Sequence, residues 1–329
     1  MRSARRHLTS ALRVALSLLA LALLIGEVGG AGVVTALQGA DLRFLVGAWV
    51  LFLLGVVVRT FRWRALLLGL EQRPPSWCPP FRRLLRLYLI GGFFNTFLPS
   101  GFGGDVVRVL ELGQSGRRSA ALGTVLVDRL TGLLSLLALG LVVLPFAQGL
   151  AGWVRWLFVG VAVMGLVAGG MLLEGRCLRR LTSWLPERFS LVGEGKLANL
   201  YAAVTGSGTR AIGQALAFST LFNLINVTIY WLCARALGMG LGYGFYFVVV
   251  PLLSLTLLLP ISVGGLGARD WVAQLLLTPT GIAGATVAAW TLSVWAVTVA
   301  AELVGGVIYL GQGLAGLVRR DLGDDRSRL

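Results

Sequence analysis

The sequence is poor in the residues that build metal centres, disulfides and catalytic triads. It contains 3 cysteines and 1 histidine in 329 residues. Cys78, Cys177 and Cys233 have neither metal-ligand nor disulfide-framework spacing, and His7 lies in a basic N-terminal tail. The sequence therefore predicts neither a His/Cys metal site nor a Ser-His triad, and it predicts no cofactor.

Charge is also scarce. Charged residues make up 13% of the chain and hydrophobic residues 57%, and the mean hydropathy is +0.83. This composition excludes an ordinary soluble domain, and several apolar runs are long enough to span a bilayer. The longest polar stretch, residues 174–210, is predicted to be a cytoplasmic loop rather than a separate domain. The sequence thus predicts an all-α polytopic membrane protein.

The charge that is present is strongly basic, with a net charge of +15, which by itself would suggest nucleic-acid binding. Its distribution argues against that partner, because 24 of the 29 Lys and Arg residues fall into five clusters. These clusters are residues 1–13, 59–86, 105–121, 174–210 and 317–329. Since Lys and Arg are retained on the cytoplasmic side, we place the clusters and both termini in the cytoplasm. We expect a multi-pass protein of a bacterial or archaeal cytoplasmic membrane and no nucleic-acid partner.

The apolar runs and basic clusters predict two tails, six crossings and two hairpins. Residues 1–13 and 319–329 are predicted cytoplasmic tails around a single transmembrane domain, residues 14–318. The six full crossings are predicted at about 14–37, 44–60, 120–146, 154–173, 211–234 and 282–316. Two further apolar regions, residues 84–121 and 243–277, are interrupted by proline and glycine. We predict that both are broken-helix, re-entrant hairpins.

The two hairpins carry copies of one motif, P-x-x-x-G-G-x-x-x-R. The first copy runs from Pro99 to Arg108, and the second, 161 residues later, runs from Pro260 to Arg269. A helix broken inside a membrane is tolerated only within protein or beside a polar cavity. Paired breaks in the two halves of a chain are typical of a transporter's binding site.

The number of crossings between the hairpins predicts an inverted repeat. Three full crossings separate them, and because three is odd the second hairpin must enter from the opposite face of the membrane. The same parity holds in the alternative in which each hairpin crosses the membrane fully twice. Similar motifs approached from opposite faces are typical of inverted-topology repeats.

The residues around each break favour anion binding. A short helix that starts at a break has unpaired first amides and a positive dipole end, which suits phosphate. Arg108 and Arg269 would add guanidinium donors for phosphate oxygens. Alternatively, each arginine pairs with a neighbouring carboxylate and only fixes the hairpin; this is more natural for Asp105 at i to i+3 than for the adjacent Asp270. The predicted substrate-binding residues are Asn95, Gly103, Gly104, Asp105, Arg108, Arg129, Gly264, Gly265, Arg269 and Asp270.

Ionisable residues also lie inside the predicted crossings, where they are costly and usually paired or functional. Asp128 and Arg129, about two turns into the third crossing, either close a charge network with the first hairpin or extend towards the inner surface. Glu302 lies deeper in the last crossing, where reaching the surface is harder. It is the best candidate for a proton-carrying or cation-coupling carboxylate. We assign Asp128 and Glu302 to a coupling or charge network.

These motifs resemble the family of lysylphosphatidylglycerol synthase transmembrane regions, also described as flippase-like integral membrane proteins, over roughly residues 8–318. The residues that carry the resemblance are Asn95-x-x-x-Pro99, Gly103-Gly104-Asp105-x-x-Arg108, Asp128-Arg129, Pro260-x-x-x-Gly264-Gly265-Leu266-Gly267 and Asp270. The family often has Glu where this chain has Asp270, which keeps the charge but shortens the reach. Bifunctional members add a soluble aminoacyl-transferase domain, which the 329 residues lack, so we expect no synthesis of aminoacylated lipid.

The resemblance implies movement of a lipid or a lipid-linked headgroup between leaflets. We expect a flippase or scramblase for an anionic phospholipid or polyprenyl-phosphate-linked lipid, working by alternating access. No ATP-binding motif is present, so an ion gradient or the lipid gradient would drive it. Two alternatives stay open: a polyprenyl-phosphate-dependent transferase, and an accessory subunit of a lipid-modifying enzyme. The expected partner is a lipid with an anionic headgroup; a second copy of the chain and a lipid-modifying enzyme are the protein partners considered.

Overall fold

A computed structural model describes residues 26, 29–70, 78–97, 103–113, 118–174, 206, 208–256 and 267–325. These residues form ten α-helices and two short 3-10 turns, with no strand among them. The helices are α1 (Gly30–Gln38), α2 (Leu42–Leu68), α3 (Phe81–Phe97), α4 (Gly103–Gly113), α5 (Arg118–Val143), α6 (Gly152–Glu174), α7 (Thr209–Ala236), α8 (Tyr243–Thr256), α9 (Ala268–Leu277) and α10 (Gly284–Asp325). The 3-10 turns are Leu144–Phe146 and Thr278–Thr280.

Five of these helices are long and apolar enough to cross a membrane. The spans are Leu42–Leu68, Ala121–Phe146, Gly152–Glu174, Thr209–Ala236 and Gly284–Gly311. The chain is therefore an all-α polytopic membrane protein, as predicted. Most of the predicted first crossing and of the 174–210 loop lies outside the described residues.

Helix α2 differs from its predicted bounds. Its predicted end was near residue 60, but the helix continues to Leu68, about two turns further. That prediction was wrong because Arg59, Arg62 and Arg64 were taken as the start of a cytoplasmic segment. Arg62 is instead 4% exposed inside the helix, where a carboxylate pairs with it. Because that charge is paired, apolar sequence can resume after it and keep the helix buried.

The hairpin helices are short. Helices α3 and α4 have 17 and 11 residues, and α8 and α9 have 14 and 10. Each is shorter than the ~20 residues that a crossing of the hydrocarbon core requires. The residues of the two predicted breaks lie outside the described ones, so the broken-helix hairpins stay a prediction.

The packing of the helices shows a twofold repeat. Helix α2 packs most extensively on α7. If α2, α3, α4 and α5 are matched in order with α7, α8, α9 and α10, the contacts of the two sets correspond. Between the sets, α3 packs on α10 as α8 packs on α5, and α5 packs on α7 as α10 packs on α2. Within the sets, the contacts α2–α3, α3–α4 and α4–α5 correspond to α7–α8, α8–α9 and α9–α10. Eight of the ten described helices therefore form two four-helix halves with the same internal arrangement, and α1 and α6 pack beside them on α10 and α5. Their inversion across the membrane stays a prediction.

Close packing of α3 on α10 depends on a glycine. A Cβ atom at Gly305 would lie 2.0 Å from the carbonyl oxygen of Leu89, a distance that backbone atoms cannot accommodate. Without a side chain, Gly305 lets the two backbones touch. This contact brings Glu302, one turn earlier on α10, against Gly92 of α3.

An apolar cluster fixes the first hairpin against the rest of the first half. Its buried side chains come from α2, α3, α4 and α5 and from Leu70, two residues after α2. They are Val56, Trp63, Leu67, Leu70, Leu84, Leu87, Tyr88, Leu112, Ala121 and Val125. Packed side chains of this kind hold neighbouring polar groups in defined positions.

Candidate functional site

Five charged residues meet where α2, α4 and α5 pack together. The charge cluster, as we name it, consists of Arg62, Asp105, Arg108, Asp128 and Arg129. It contains three guanidinium groups and two carboxylates, so its formal charge is +1. Four of its members are buried.

Asp128 is the centre of the charge cluster and is 1% exposed. Its Oδ1 accepts a hydrogen bond from Arg62 Nε at 2.6 Å. Its Oδ2 accepts from the Tyr88 hydroxyl and faces Arg108 Nη2 at 3.4 Å. Three donors on α2, α3 and α4 therefore converge on one carboxylate of α5, which offsets the cost of burying its charge.

Asp105 connects Arg108 to the third arginine of the cluster, Arg129. It lies in the first turn of α4, where a carboxylate is favoured by the helix dipole. Its Oδ1 accepts from Arg108 Nη1 at 3.2 Å, and its Oδ2 accepts from Arg129 Nε. The Arg129 side chain is 40% exposed, so the charge cluster reaches the protein surface at this residue.

The charge cluster also joins the two halves of the repeat. Arg62 Nη1 donates to the Ser219 hydroxyl on α7 at 3.1 Å. It passes over Gly132, where a Cβ would lie 2.8 Å from Nη1. Arg62, which lies on α2, therefore contacts both α5 and α7.

Arg108 lies between two aromatic rings. Its guanidinium carbon is 4.0 Å from a ring centroid of Trp63 and 3.9 Å from that of Tyr88. Both contacts are cation–π interactions. Its Nε is buried and has no hydrogen-bond partner within the described residues. The two rings thus fix the position of the Arg108 guanidinium, and its Nε–H remains available as a hydrogen-bond donor.

A small cavity adjoins the charge cluster. Its volume is about 40 Å³, which is room for a water or two or a small polar group but not for a whole lipid headgroup. The lining residues are Phe52, Val56, Arg59, Tyr88, Leu89, Gly91, Gly92, Asn95, Asp105, Arg108, Ala301 and Glu302. The cavity therefore contacts one buried arginine, Arg108, one half-buried arginine, Arg59, and two carboxylates.

Asn95 has a structural role at the start of α4. Its Oδ1 accepts the backbone N–H of Gly104 at 2.8 Å. We predicted the first amides of α4 to be unpaired, and for Gly104 that prediction was wrong. The side chain of Asn95, on the preceding helix, occupies the place in which an anion was expected.

Loss of this cap should weaken the first hairpin. We expect Asn95→Ala to lower stability by about 1 kcal/mol, because the Gly104 amide would be left without its acceptor. Thermal unfolding of the purified protein in detergent measures the effect. Gln214→Ala, which removes an exposed side-chain amide of α7, is the control. Equal melting temperatures for the two variants would contradict the capping role.

The described residues of the second predicted hairpin, 243–256 and 267–277, do not contribute to the charge cluster. Arg269 is 5% exposed, and its Nη2 donates to the carbonyl of Thr291 on α10 at 3.0 Å. Asp270 Oδ2 accepts the Gly267 amide at 2.8 Å and so caps α9. The structure brings Arg269 and Asp270 to the same helix end but pairs neither with the other. The other predicted residues of this motif, Gly264, Gly265 and Pro260, and Pro99 of the first motif, lie outside the described residues.

Sequence reasoning missed Arg59, Arg62 and Tyr88. A signal was available for the arginines: they lie three residues apart, and an apolar Ala-Leu-Leu-Leu run follows at residues 65–68. Such a run is unexpected in a cytoplasmic loop. Tyr88 carried no signal of its own.

These features define a polytopic helical membrane protein, built from two similar halves, with a buried charge cluster beside a cavity. The family described as the lysylphosphatidylglycerol synthase TM region matches residues 10–306. The chain belongs to this family, as its motifs predicted, and its function is related to membrane lipids. No curated protein matches the chain.

Proposed function

We propose that the chain is a lipid flippase or scramblase. It moves an anionic phospholipid or a polyprenyl-phosphate-linked lipid between leaflets by alternating access, and it is a transporter rather than an enzyme. It works in the cytoplasmic membrane with both termini in the cytoplasm. The observation that carries the proposal is the charge cluster, with its surplus of guanidinium groups, next to a cavity inside a membrane-lipid family fold.

The electrostatics support an anionic headgroup. A charge placed in the hydrocarbon region is costly unless it meets an opposite charge. A formal charge of +1 on the charge cluster, with Arg108 keeping a donor unpaired, provides such a partner for phosphate oxygens. The acyl or prenyl chains would stay in the bilayer.

The dimensions of the cavity imply a conformational step. A space of about 40 Å³ is too small for a phospholipid headgroup, so the hairpin and α10 must separate when substrate binds. The exposed side of Arg129 is the place at which a phosphate would first meet the charge cluster. Separation of packed hairpins is the usual way in which such repeats expose a site to each face.

A reconstitution experiment tests the proposal. Vesicles of phosphatidylcholine with a fluorescent phosphatidylglycerol are prepared with the purified protein, and dithionite quenching reports movement between leaflets. We expect Arg129→Gln to slow this movement about tenfold or more, because the first phosphate contact is lost. Arg235→Gln, at an exposed arginine outside the charge cluster, should match the wild type.

The outcome is decided by two comparisons. A wild-type protein that does not accelerate movement above protein-free vesicles would contradict the proposed function. Equal rates for Arg129→Gln and Arg235→Gln would contradict the assignment of the charge cluster. Because Arg129 is partly exposed, its replacement should leave the fold intact, and size-exclusion chromatography checks this.

A further inference from the structure

Two charged residues of the cavity lie outside the charge cluster. Arg59 lies on α2 and Glu302 on α10, and both line the same space of about 40 Å³. Neither forms an ion pair within the described residues, whereas all five members of the charge cluster do. The cavity therefore contains one guanidinium and one carboxylate that attract each other through space without forming a salt bridge.

Arg59 is held by aromatic rings instead of carboxylates. Its guanidinium carbon lies 4.9 Å from the ring centroid of Phe222, 5.6 Å from that of Tyr88 and 5.7 Å from that of Phe52. Its Nε is buried and lacks a hydrogen-bond partner among the described side chains and backbone. Aromatic contacts fix a guanidinium while leaving its N–H donors available. This is a suitable state for binding an incoming anion.

The carboxylate of Glu302 likewise has an oxygen without a hydrogen-bond partner. Its Oε2 is buried and has no hydrogen-bond partner in the described part of the chain. The side chain packs against Gly92, where a Cβ would lie 3.2 Å from Oε1. The absence of a side chain on α3 leaves the room that the carboxylate occupies.

The other polar groups that face this pair are already engaged. On α4, Asp105 and Arg108 bind each other. On α3, the Tyr88 hydroxyl donates to Asp128, and the Asn95 oxygen accepts from the start of α4. Arg108 keeps only its Nε unpaired. An anion that enters the cavity therefore meets Arg59 as the lining cation that has no carboxylate partner among the described residues, and Glu302 as its unpaired neighbour.

We propose that Arg59 binds the phosphate of the substrate and that Glu302 takes up one proton as this anion enters. The proposal rests on the proposed function and deepens it, since it names the coupling ion. Two negative groups within so small a low-dielectric space repel each other strongly, and the usual resolution is protonation of one of them. The proton comes from water, adds to a Glu302 carboxylate oxygen, and leaves when the headgroup departs.

The sign of the pH dependence follows. Where Glu302 is ionised in the substrate-free protein, binding of the anion requires a proton, so the affinity weakens as the pH rises. The dissociation constant should increase about tenfold per pH unit in that range. Glu302→Gln removes the titrating group but keeps the shape, so its affinity should not depend on pH.

Calorimetry tests the proposal on the full chain in detergent. The probe is dihexanoyl phosphatidylglycerol, titrated in two buffers of different ionisation enthalpy, which counts the protons taken up. In the pH range where the affinity of the wild type falls with rising pH, which is where substrate-free Glu302 is ionised, the wild type should take up close to one proton, and Glu302→Gln should bind the probe with none. Arg59→Gln should bind at least about tenfold more weakly, the loss of one charge-assisted contact. Arg64→Gln, on the same helix and outside the cavity, is the matched control.

The outcomes separate this proposal from the proposed function. Equal proton uptake by the wild type and Glu302→Gln, or equal affinity of Arg59→Gln and Arg64→Gln, would overturn it. If either result is found while wild-type vesicles still move lipid, the proposed flippase function is retained, and the proposed roles of Arg59 and Glu302 are wrong. Inorganic phosphate should not compete with the probe at equal concentration; equal competition would assign the site to free phosphate and overturn its assignment to lipid.

Discussion

Replacement of Asp128 by alanine is expected to cost about 3–5 kcal/mol of folding free energy, because it leaves buried positive charge without a partner. Arg62 would lose its only described carboxylate at 2.6 Å. Arg108 would keep Asp105 but lose its second contact, and the Tyr88 hydroxyl would lose its acceptor. Reversible unfolding in mixed micelles, followed by circular dichroism, measures the change.

A neutral polar contact on the same helix provides the control. The Ser135 hydroxyl, 5% exposed, shares a hydrogen bond of 2.9 Å with Thr220. Its replacement by alanine should cost about 1 kcal/mol, the usual net value of such a bond. Removal of both charges in Arg62→Met with Asp128→Leu should recover part of the loss seen in Asp128→Ala. An Asp128→Ala protein that unfolds like Ser135→Ala would contradict the central role of this carboxylate.

Local patterns in the sequence were sufficient to predict the class of fold. Apolar runs of membrane length predicted long crossings, and five described helices agree with them. The broken hairpins, which the two prolines with paired glycines predicted, stay a prediction. These features depend on chain length, hydropathy and backbone restriction, all of which are local. The twofold packing of the halves follows from the same repetition of motifs.

The partners of the charges could be predicted only where the chain keeps them close. Asp105 and Arg108 are three residues apart on one helix, so their ion pair follows from helical geometry. Asp128 and Arg129 were placed in a network with the first hairpin, and the structure pairs them with it. Whether they bind substrate stays a prediction.

The apolar run at residues 65–68 indicated that Arg59 and Arg62 lie inside a helix, but the partner of Arg62 could not be predicted from local sequence. Arginines at the end of an apolar run are typical of a membrane surface, and a partner elsewhere in the chain changes that interpretation. Asp128, the partner of Arg62, is 66 residues away. Contacts over such separations depend on tertiary packing.

The two motif copies differ in one detail that changes the chemistry. In the first, Asp105 and Arg108 lie on one helix face and pair. In the second, Arg269 and Asp270 are adjacent and point to different sides, so the arginine bonds to Thr291 and the aspartate caps its own helix. A shared consensus therefore does not give the two hairpins the same contacts.

An alanine at position 104 is expected to separate α3 from α4. A Cβ on Gly104 would lie 1.9 Å from the carbonyl oxygen, 2.4 Å from the carbonyl carbon and 2.7 Å from the Cα of Gly91. These are backbone atoms of a helix and cannot rotate away, so the helices must move apart. Overpacking of this kind costs about 1–3 kcal/mol or more. The shift also moves Asp105 and Asn95, so the rate of lipid movement should fall together with the melting temperature.

Gly160 on α6 provides the matched control for this substitution. It also lies inside a helix, but a Cβ there would meet nothing within 4 Å. Gly160→Ala should leave stability unchanged or raise it by about 0.5–1 kcal/mol, since alanine favours the helix. The same chemical change therefore has opposite expected effects at the two positions, and the difference isolates the contact between α3 and α4. Gly104→Ala and Gly160→Ala proteins with the same melting temperature would show that this close approach does not hold the hairpin, and the position of Asp105 in the charge cluster would then need another cause.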